Sequence, residues 1–507
     1  MLHLPSSILI LCLPAIGMMA QPADNTADHP ESVPQETLNE PIGDEAKWSL
    51  VAQAAQDLRI RMRDEAMTPQ ETVLAMEILR DEAELYLLEQ PYDYRAWNLI
   101  ASLCGEMKDS NCVDKAANAL LDLQPDNVQA GLQWAAYYAQ VEQYDDALRI
   151  LNSLLVRQPE NLMYNNAWLI TMDQEDPEGI TKRFTELLEN PDDLRLAKAM
   201  TKARRQSNPW MAETMAKQLL EIAPEDPEAI EIMGRSYRAC NHFKQAREIL
   251  STLPPETLKE PHIAYLYSDC FYADHQFENA YAIMSEIDLE EADSRPGLKR
   301  RLNVMLPLRE TAISSHAREL EIRARESESD SNPMVRLIID GNPVIVELFQ
   351  NQAPNTTGAF LALSRRGDYD DIPFGQVQTG FRSIGGTISG GVPYSLPSEC
   401  GSDDDRHFFS GTLAVYLPFA GRPDSARGEW CIYHFPAPHL NGERTVFGRV
   451  TEGLEHVRAM KEGSRLDRVE IIRAPEAELD PVVIDEEGQR RPFSEVMSAN
   501  SNTTAAP

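Results

Sequence analysis

The pattern of apolar and polar positions divides the chain into a helical part and a β part. From about residue 45 to 322, apolar residues recur every three or four positions, which predicts amphipathic helices. At Met334 the spacing changes to every second residue, which predicts strands. The predicted loops between helices contain prolines followed by acidic or amide residues: Pro91, Pro125, Pro159, Pro191, Pro224 and Pro254. Successive prolines of this set are 34, 34, 32, 33 and 30 positions apart. This period predicts stacked helix-turn-helix repeats.

A second periodic signal supports the repeats. An aromatic residue followed three positions later by alanine recurs at Tyr144/Ala147, Phe243/Ala246 and Phe277/Ala280. The small residue permits close helix packing, and the clearest unit runs from Val128 to Asn161. This part resembles a degenerate array of tetratricopeptide repeats, with five or six units between about residues 92 and 293.

Such an array presents a concave surface, so the resemblance implies a protein partner in the helical-repeat groove. The candidate groove residues are Tyr137, Tyr138, Arg235 and Tyr237. The alternative for each is packing between repeats or a solvated face.

The β part has its own ordered set of motifs. Two strand patterns, 335–340 and 343–349, meet at Asp340-Gly341-Asn342, a hairpin signal, and a helix pattern follows at 353–363. The remaining motifs are Tyr369 to Gly386, Gly411 to Tyr416, Glu429 to Ile432 and His439 to Gly448. In this order and spacing they resemble the cyclophilin family of peptidyl-prolyl cis-trans isomerases.

The predicted fold is therefore multidomain α and β. An all-α tetratricopeptide-like solenoid precedes a cyclophilin-like closed β-barrel with flanking helices. The predicted segments are a signal peptide (1–20), a disordered spacer (21–44), helical repeats (45–322), a linker (323–332), the cyclophilin-like domain (333–475) and a disordered tail (476–507).

The resemblance implies a reaction that needs no cofactor and no metal. The barrier to rotation about an X-Pro bond is about 18 to 20 kcal/mol, because the amide is resonance-stabilised. A catalyst binds the proline ring in an apolar pocket and places a cation near the prolyl nitrogen. The family uses an arginine two residues after a phenylalanine, and here that position is Gln376. Arg382 and Arg444 are the candidate substitute cations, and a solvated surface charge is the alternative for each.

The resemblance also assigns a substrate-binding set. It consists of Phe381, Ile384, Tyr416, Glu429, Cys431, His439 and Leu440. Because much of the family's catalytic set is replaced, we expect a weak or absent isomerase activity towards proline-containing polypeptides. The alternative is an inactive cyclophilin-like peptide-binding or scaffold protein of the cell envelope.

Composition narrows the partners and the compartment. The 47 basic and 81 acidic residues give a net charge of −34, which argues against a nucleic-acid ligand. The apolar run 8–20 fits a signal peptide, so we expect an exported protein with no membrane span in the mature chain. A lipid anchor at Cys12 is the less favoured alternative.

Apart from Cys12 there are six cysteines, which suits an oxidising compartment. The pairs nearest in sequence are Cys104/Cys112, Cys240/Cys270 and Cys400/Cys431, and free buried thiols are the alternative. No C-x-x-C motif occurs, so the sequence does not predict a zinc or dithiol site.

Overall fold

A computed structural model describes most of the chain. The described residues are 44–63, 67–123, 128–293, 297–329, 331–402, 405–419, 421–475 and 479–503. The predicted signal peptide and nearly all of the predicted spacer lie outside these residues. The chain divides into two compact units, the first ending at Glu186 and the second beginning at Leu187.

The first unit is helical throughout its described residues. Its helices are α1 (Glu45–Arg63), α2 (Pro69–Glu89), α3 (Tyr94–Glu106), α4 (Ser110–Leu123), α5 (Val128–Gln140), α6 (Tyr144–Arg157), α7 (Leu162–Glu175) and α8 (Pro177–Glu189), which runs into the second unit.

A disulfide joins Cys104 and Cys112 across the turn between α3 and α4. The thiols of Cys240, Cys270, Cys400 and Cys431 are free, so of the three sequence-near pairs only the first is bridged.

In the described part of the second unit, nine α-helices precede the strands. They are α9 (Leu194–Ser207), α10 (Pro209–Ile222), α11 (Pro227–Ala239), α12 (Phe243–Leu250), α13 (Pro255–Lys259), α14 (Pro261–Ala273), α15 (Phe277–Ser285), α16 (Leu289–Asp293) and α17 (Leu298–Ser329). No helix among the described residues of the chain combines the length and apolar character needed to cross a bilayer.

The repeat period reappears in the backbone of the turns. Lys108 and Glu142 adopt φ values of 59° and 61°, and Asn241 and His275 adopt 62° and 60°. The two residues of each pair are 34 positions apart, which is the predicted repeat length. Helices of a repeat also approach closely, since a Cβ on Gly234 of α11 would lie 2.6 Å from Leu250 of α12.

The predicted linker is wrong over most of its length. Residues 323–329 continue α17, which ends at Ser329. The polar composition that suggested a linker is instead that of a helix whose charged residues form ion pairs within the helix and with the β domain. Arg323 pairs with Glu319 one turn earlier at 2.8 Å, and Glu326 accepts from Arg406 at 2.8 Å.

The β domain follows directly. Its strands are β1 (Met334–Ile339), β2 (Asn342–Leu348), β3 (Ile372–Pro373), β4 (Gln376–Gln378), β5 (Arg382–Gly385), β6 (Tyr394–Ser395), β7 (Thr412–Val415), β8 (Trp430–Tyr433), β9 (Val446–Glu452), β10 (Arg465–Arg473), β11 (Val482–Asp485) and β12 (Arg490–Pro492). Its helices are α18 (Pro354–Arg366), α19 (Leu454–Arg458) and α20 (Phe493–Thr503).

Nine of these strands form one antiparallel sheet in the order β3-β10-β1-β2-β9-β7-β8-β5-β4. Its two edge strands, β3 and β4, are separated in sequence only by Phe374 and Gly375. The sheet therefore curls so that this two-residue link can connect its two edges. Phe374 N–H bonds to Ser464 O and Gly375 N–H bonds to Ile384 O. The curled sheet encloses the main core, which contains Leu337, Val346, Phe360, Leu413, Trp430, Ile432 and Phe447.

The predicted disordered tail is also wrong for residues 479–503. β11 and β12 pair with each other, and β11 also pairs with β6. Val483, Phe493 and Val496 are buried in the main core, and Phe493 packs on Tyr394 at a ring-centroid distance of 5.4 Å. The acidic composition of the segment conceals these few apolar anchors.

An aromatic cluster joins the repeat helices to the β domain. Phe243, Tyr272 and Phe277 of the repeats pack with Phe409 and Phe435 of the β domain. A buried ion pair adds to this junction, because Arg406 donates to both carboxylate oxygens of Glu319 on α17, at 2.8 and 2.9 Å. The second compact unit therefore contains repeat helices as well as the β domain.

We expect Phe493→Ala to destabilise the protein by about 3 kcal/mol, because it leaves a cavity in the main core. Ile472→Ala, at an exposed position of β10, is the control and should cost less than about 1 kcal/mol. Urea unfolding of the full chain measures both values. A loss at Phe493 no greater than at Ile472 would contradict the structural role of the C-terminal segment.

Candidate functional site

The predicted site residues lie mainly on the outer face of the curled sheet. Gln376, Ile384, Cys431 and Ala414 stand opposite one another across β4, β5, β8 and β7. Arg382 and Tyr433 pair two positions away and therefore share this face. The intervening residues Leu413 and Ile432 face the main core instead.

A small apolar cluster covers this face. Phe349, Ile384, Phe408, Ala414, Cys431, Tyr433, Ala437 and Val446 are buried in it, and Phe381, Tyr416 and Leu440 pack partly exposed against it. Five of the predicted substrate-binding residues thus come together. A sixth, His439, is exposed and stacks on Phe381 with ring centroids 6.2 Å apart.

Arg382 lies among these aromatic rings. Its guanidinium carbon is 5.1 Å from the centre of the Phe381 ring and 5.6 Å from that of Tyr416, within range of a cation-π interaction. Its Nη1 donates to Cys431 Sγ at 3.5 Å, whereas its buried Nε has no acceptor among the described residues. Burial raises the pKa of the Cys431 thiol to about 11, so this sulfur remains a neutral thiol.

Arg444 is the second cation near the cluster. Its positive charge acts on Cys431 and Tyr433, and its buried Nη1 has no hydrogen-bond acceptor in the described part of the chain. Although His439 is exposed to solvent overall, partial desolvation of its imidazole lowers its pKa below the usual range, and the charge of Arg444 adds to this lowering. His439 is therefore neutral at physiological pH.

Two of the predicted site residues, Gln376 and Glu429, are not members of the apolar cluster. Gln376 is exposed at the edge strand β4, where it pairs with Ile384. Glu429 contacts the cluster through its backbone carbonyl, which accepts from Tyr416 N–H at 3.1 Å.

A buried polar network that the sequence did not reveal supports the site from behind. Asn241, in the turn between α11 and α12, accepts from Gly380 N–H at 2.6 Å through Oδ1. This contact fixes its amide orientation, so Nδ2 donates to Arg458 O and to His434 Nδ1, both at 3.0 Å. His434 Nε2 therefore carries the proton and donates to Ser383 Oγ at 2.8 Å.

The network ties a repeat turn to the loop before Phe381. Phe381 O accepts from His434 N–H at 2.8 Å. His434 therefore binds Phe381 through its backbone and Ser383 through its side chain. The one sequence signal for Asn241 is its spacing of 34 residues from His275, whose Nε2 accepts from Ser410 N–H at 3.0 Å. Equivalent turns of successive repeats thus both bind the β domain.

The candidate groove residues separate into different environments. Tyr138 is fully buried and its hydroxyl donates to Asp114 at 2.9 Å, so it belongs to the repeat core. Tyr137 is partly exposed. Tyr237 packs against a repeat core cluster, and Arg235 lines a cavity described below.

Comparison with known proteins agrees with this architecture. Residues 334–483 match the family model of cyclophilin type peptidyl-prolyl cis-trans isomerases, and residues 211–270 match a tetratricopeptide repeat model. Peptidyl-prolyl cis-trans isomerase B of Bacillus subtilis is 37% identical over 139 residues, which cover 27% of this chain and 94% of the relative. A peptidyl-prolyl cis-trans isomerase of Synechococcus elongatus is 38% identical over 133 residues, covering 25% and 88% respectively.

The chain belongs to the cyclophilin-type peptidyl-prolyl isomerase family and carries tetratricopeptide repeats. Among solved structures, a Cryptosporidium parvum cyclophilin shares 26% identity and covers 28% of this chain and 99% of its own, with a TM-score of 0.26. That score adds nothing to the assignment, which rests on the sequence relatives.

The buried imidazole of His434 predicts a pH-dependent stability. Burial, aided by the charge of Arg458, lowers its pKa to about 3 from the ordinary 6.5. The unfolded chain therefore binds a proton below pH 6.5 that the folded chain does not, so stability falls as the pH falls. His434 should contribute about 1.4 kcal/mol to the loss between pH 7.5 and 5.5.

Urea unfolding at the two pH values tests this expectation. Whatever His434→Gln does to the free energy of unfolding at pH 7.5, it should make the decrease in that free energy between pH 7.5 and 5.5 smaller by about 1.4 kcal/mol. His456→Gln, in the partly exposed α19, is the control and should preserve the loss. An unchanged pH dependence in His434→Gln would show that this imidazole is not the responsible group.

Proposed function

We propose that the outer face of the sheet binds proline-containing polypeptides and isomerises their X-Pro bonds slowly, with Arg382 supplying the positive charge that Gln376 lacks. The proposal rests on family membership and on one observation. The guanidinium of Arg382 lies over the rings of Phe381 and Tyr416, at 5.1 and 5.6 Å.

The chemistry requires an apolar surface and a donor at one position. Phe381, Leu440 and Tyr416 form a partly exposed surface against which a proline ring can pack. Arg382 makes no ion pair with an acidic side chain of the described residues, and its Nε proton has no acceptor there. It can therefore donate to the prolyl nitrogen as the amide twists, which withdraws the lone pair from resonance.

The charge sets the expected rate. Removing one donor aimed at a transition state costs about 100- to 1000-fold in rate. Gln376 offers a neutral donor at the family's position, whereas Arg382 offers a charged one from the neighbouring strand. Because this cation lies on a different strand, we expect an activity below that of family members with the arginine.

A coupled proline-peptide isomerisation assay on the full chain tests the role of Arg382. We expect Arg382→Gln to lower the catalysed kcat/KM about 100-fold, and Gln376→Arg to raise it about tenfold or more. Arg468→Gln, which removes an exposed charge from β10, is the matched control and should leave kcat/KM unchanged. Full-length protein is required because Phe435 packs among repeat aromatics.

The second candidate function is peptide binding without catalysis. It is favoured by the contact of Arg382 with Cys431, which places the guanidinium within the apolar cluster. In that case the wild-type rate equals the uncatalysed rate, and Arg382→Ala tightens peptide binding by opening the cluster. Chemical-shift perturbation around Phe381 and Leu440 measures that binding and separates it from a structural role alone.

We infer further that the repeats recruit a protein partner and that the whole chain acts as an exported foldase or chaperone. Export is supported by the apolar run 8–20 and by the disulfide between Cys104 and Cys112, since disulfides persist mainly in oxidising compartments. The repeat array supports the partner, because stacked repeats expose extended binding surfaces.

Export predicts a processed N-terminus. When the full gene product is expressed in a bacterial host, we expect the mature protein in the periplasmic or extracellular fraction, beginning at Gln21. Intact-mass measurement of the purified protein checks the cleavage. A cytoplasmic protein that retains residues 1–20 would contradict the proposal.

A further inference from the structure

Repeat helices of the second unit line an open cavity of about 240 Å³. It is formed by α9, α11, α14 and α17. The lining residues are Arg205, Arg235, Arg238, Ala239, Tyr265, Leu266, Asp269 and Arg301. Four arginines and one aspartate thus face the same space in a chain whose net charge is −34.

The acidic groups nearby are already engaged. Asp269 accepts from Arg238 at 2.9 Å and also pairs with the buried Arg309. Arg235 pairs with Glu231 at 2.6 Å. Arg205 and Arg301 form no ion pair within the part of the chain that the structure describes.

Positive charge in this cavity is held at a cost. Burial lowers the pKa of Arg205 to about 10, and the charges of Arg235 and Arg238 add to this lowering. The buried Nη1 of Arg205 has no hydrogen-bond acceptor among the described residues. An anion in the cavity would supply that acceptor and reduce the repulsion between the guanidinium groups.

The cavity adjoins the loop that carries Phe381. A Cβ placed on Gly380 would lie 3.1 Å from Nη1 of Arg238, and Gly380 directly precedes Phe381. Arg238 also lies over the Phe435 ring at 5.6 Å, and Asn241 from the same repeat binds Gly380 N–H. One arginine of the cavity lining, Arg238, therefore contacts the backbone segment next to Phe381.

We propose that this cavity binds carboxylate groups of an acidic segment flanking the proline of the bound polypeptide, so that the repeats select acidic proline-containing substrates. The proposal rests on the proposed function for the location of the proline. Arg205 and Arg301 supply the unpaired guanidinium groups, and arginine matches the planar geometry of a carboxylate.

Three fluorescein-labelled peptides test the proposal on the full-length protein. Each contains one central Ala-Pro, flanked by four glutamates before it, four glutamates after it, or glutamines on both sides. We expect one of the two acidic peptides to bind about tenfold more tightly than the glutamine peptide in fluorescence anisotropy. The gain should shrink markedly between about 50 and 500 mM NaCl, since salt screens the interaction.

Two variants locate the effect. Arg301→Gln should abolish most of the gain while leaving the affinity for the glutamine peptide unchanged. Arg300→Gln, the preceding residue of α17 and not part of the cavity lining, is the matched control and should retain the gain. Arg205→Gln should act like Arg301→Gln where circular dichroism shows that it folds.

The outcomes separate this inference from the proposed function. No gain for either acidic peptide, or an equal loss in Arg300→Gln, would overturn the cavity assignment. Displacement of the acidic peptide by inorganic phosphate at lower concentrations than by acetate would overturn the carboxylate assignment. The proposed function fails instead if the glutamine peptide shows neither binding nor catalysed isomerisation, a result that does not involve the cavity.

Discussion

The buried hydrogen bonds of Asn241 are the constraint on which the second compact unit depends. Its amide bonds to Gly380 N–H, to Arg458 O and to His434, and it therefore holds one repeat turn against three segments of the β domain. A left-handed backbone, with φ of 62°, aims the side chain at these partners. Asparagine adopts this conformation more readily than most residues. Because buried donors and acceptors are costly when unpaired, the network defines one arrangement of turn, imidazole and Phe381 loop.

That arrangement makes the isomerase face part of the repeat structure. In the described part of the second unit, the aromatic junction around Phe435 and the ion pair of Arg406 with Glu319 add apolar and charged contacts to the same boundary. A buried arginine and carboxylate stabilise a structure only when their hydrogen bonds are complete, and here both carboxylate oxygens of Glu319 accept from Arg406. The position of α17 relative to the sheet is therefore defined by geometry as well as by burial.

In this acidic protein, arginines are grouped at both of the proposed binding sites. Arg382 and Arg444 lie beside the apolar cluster of the outer sheet face, and Arg205 and Arg301 face the repeat cavity. In both places guanidinium groups lie near aromatic rings, Phe381 and Tyr416 at one and Tyr265 at the other. Stacking on a ring face keeps an arginine charged with little loss of stability, so a cation can be retained there for a ligand.

The sequence by itself determined the two classes of secondary structure, the repeat period, the family of the β domain and five residues of its outer-face cluster. These follow from local periodicity and from ordered motifs, which are properties of neighbouring residues. Only the tertiary structure decided that α17 continues through 323–329, that residues 479–503 complete the β domain, and that Asn241 and His434 meet. These features depend on contacts between residues far apart in the chain, such as the 193 positions between Asn241 and His434, and no local pattern encodes such a contact.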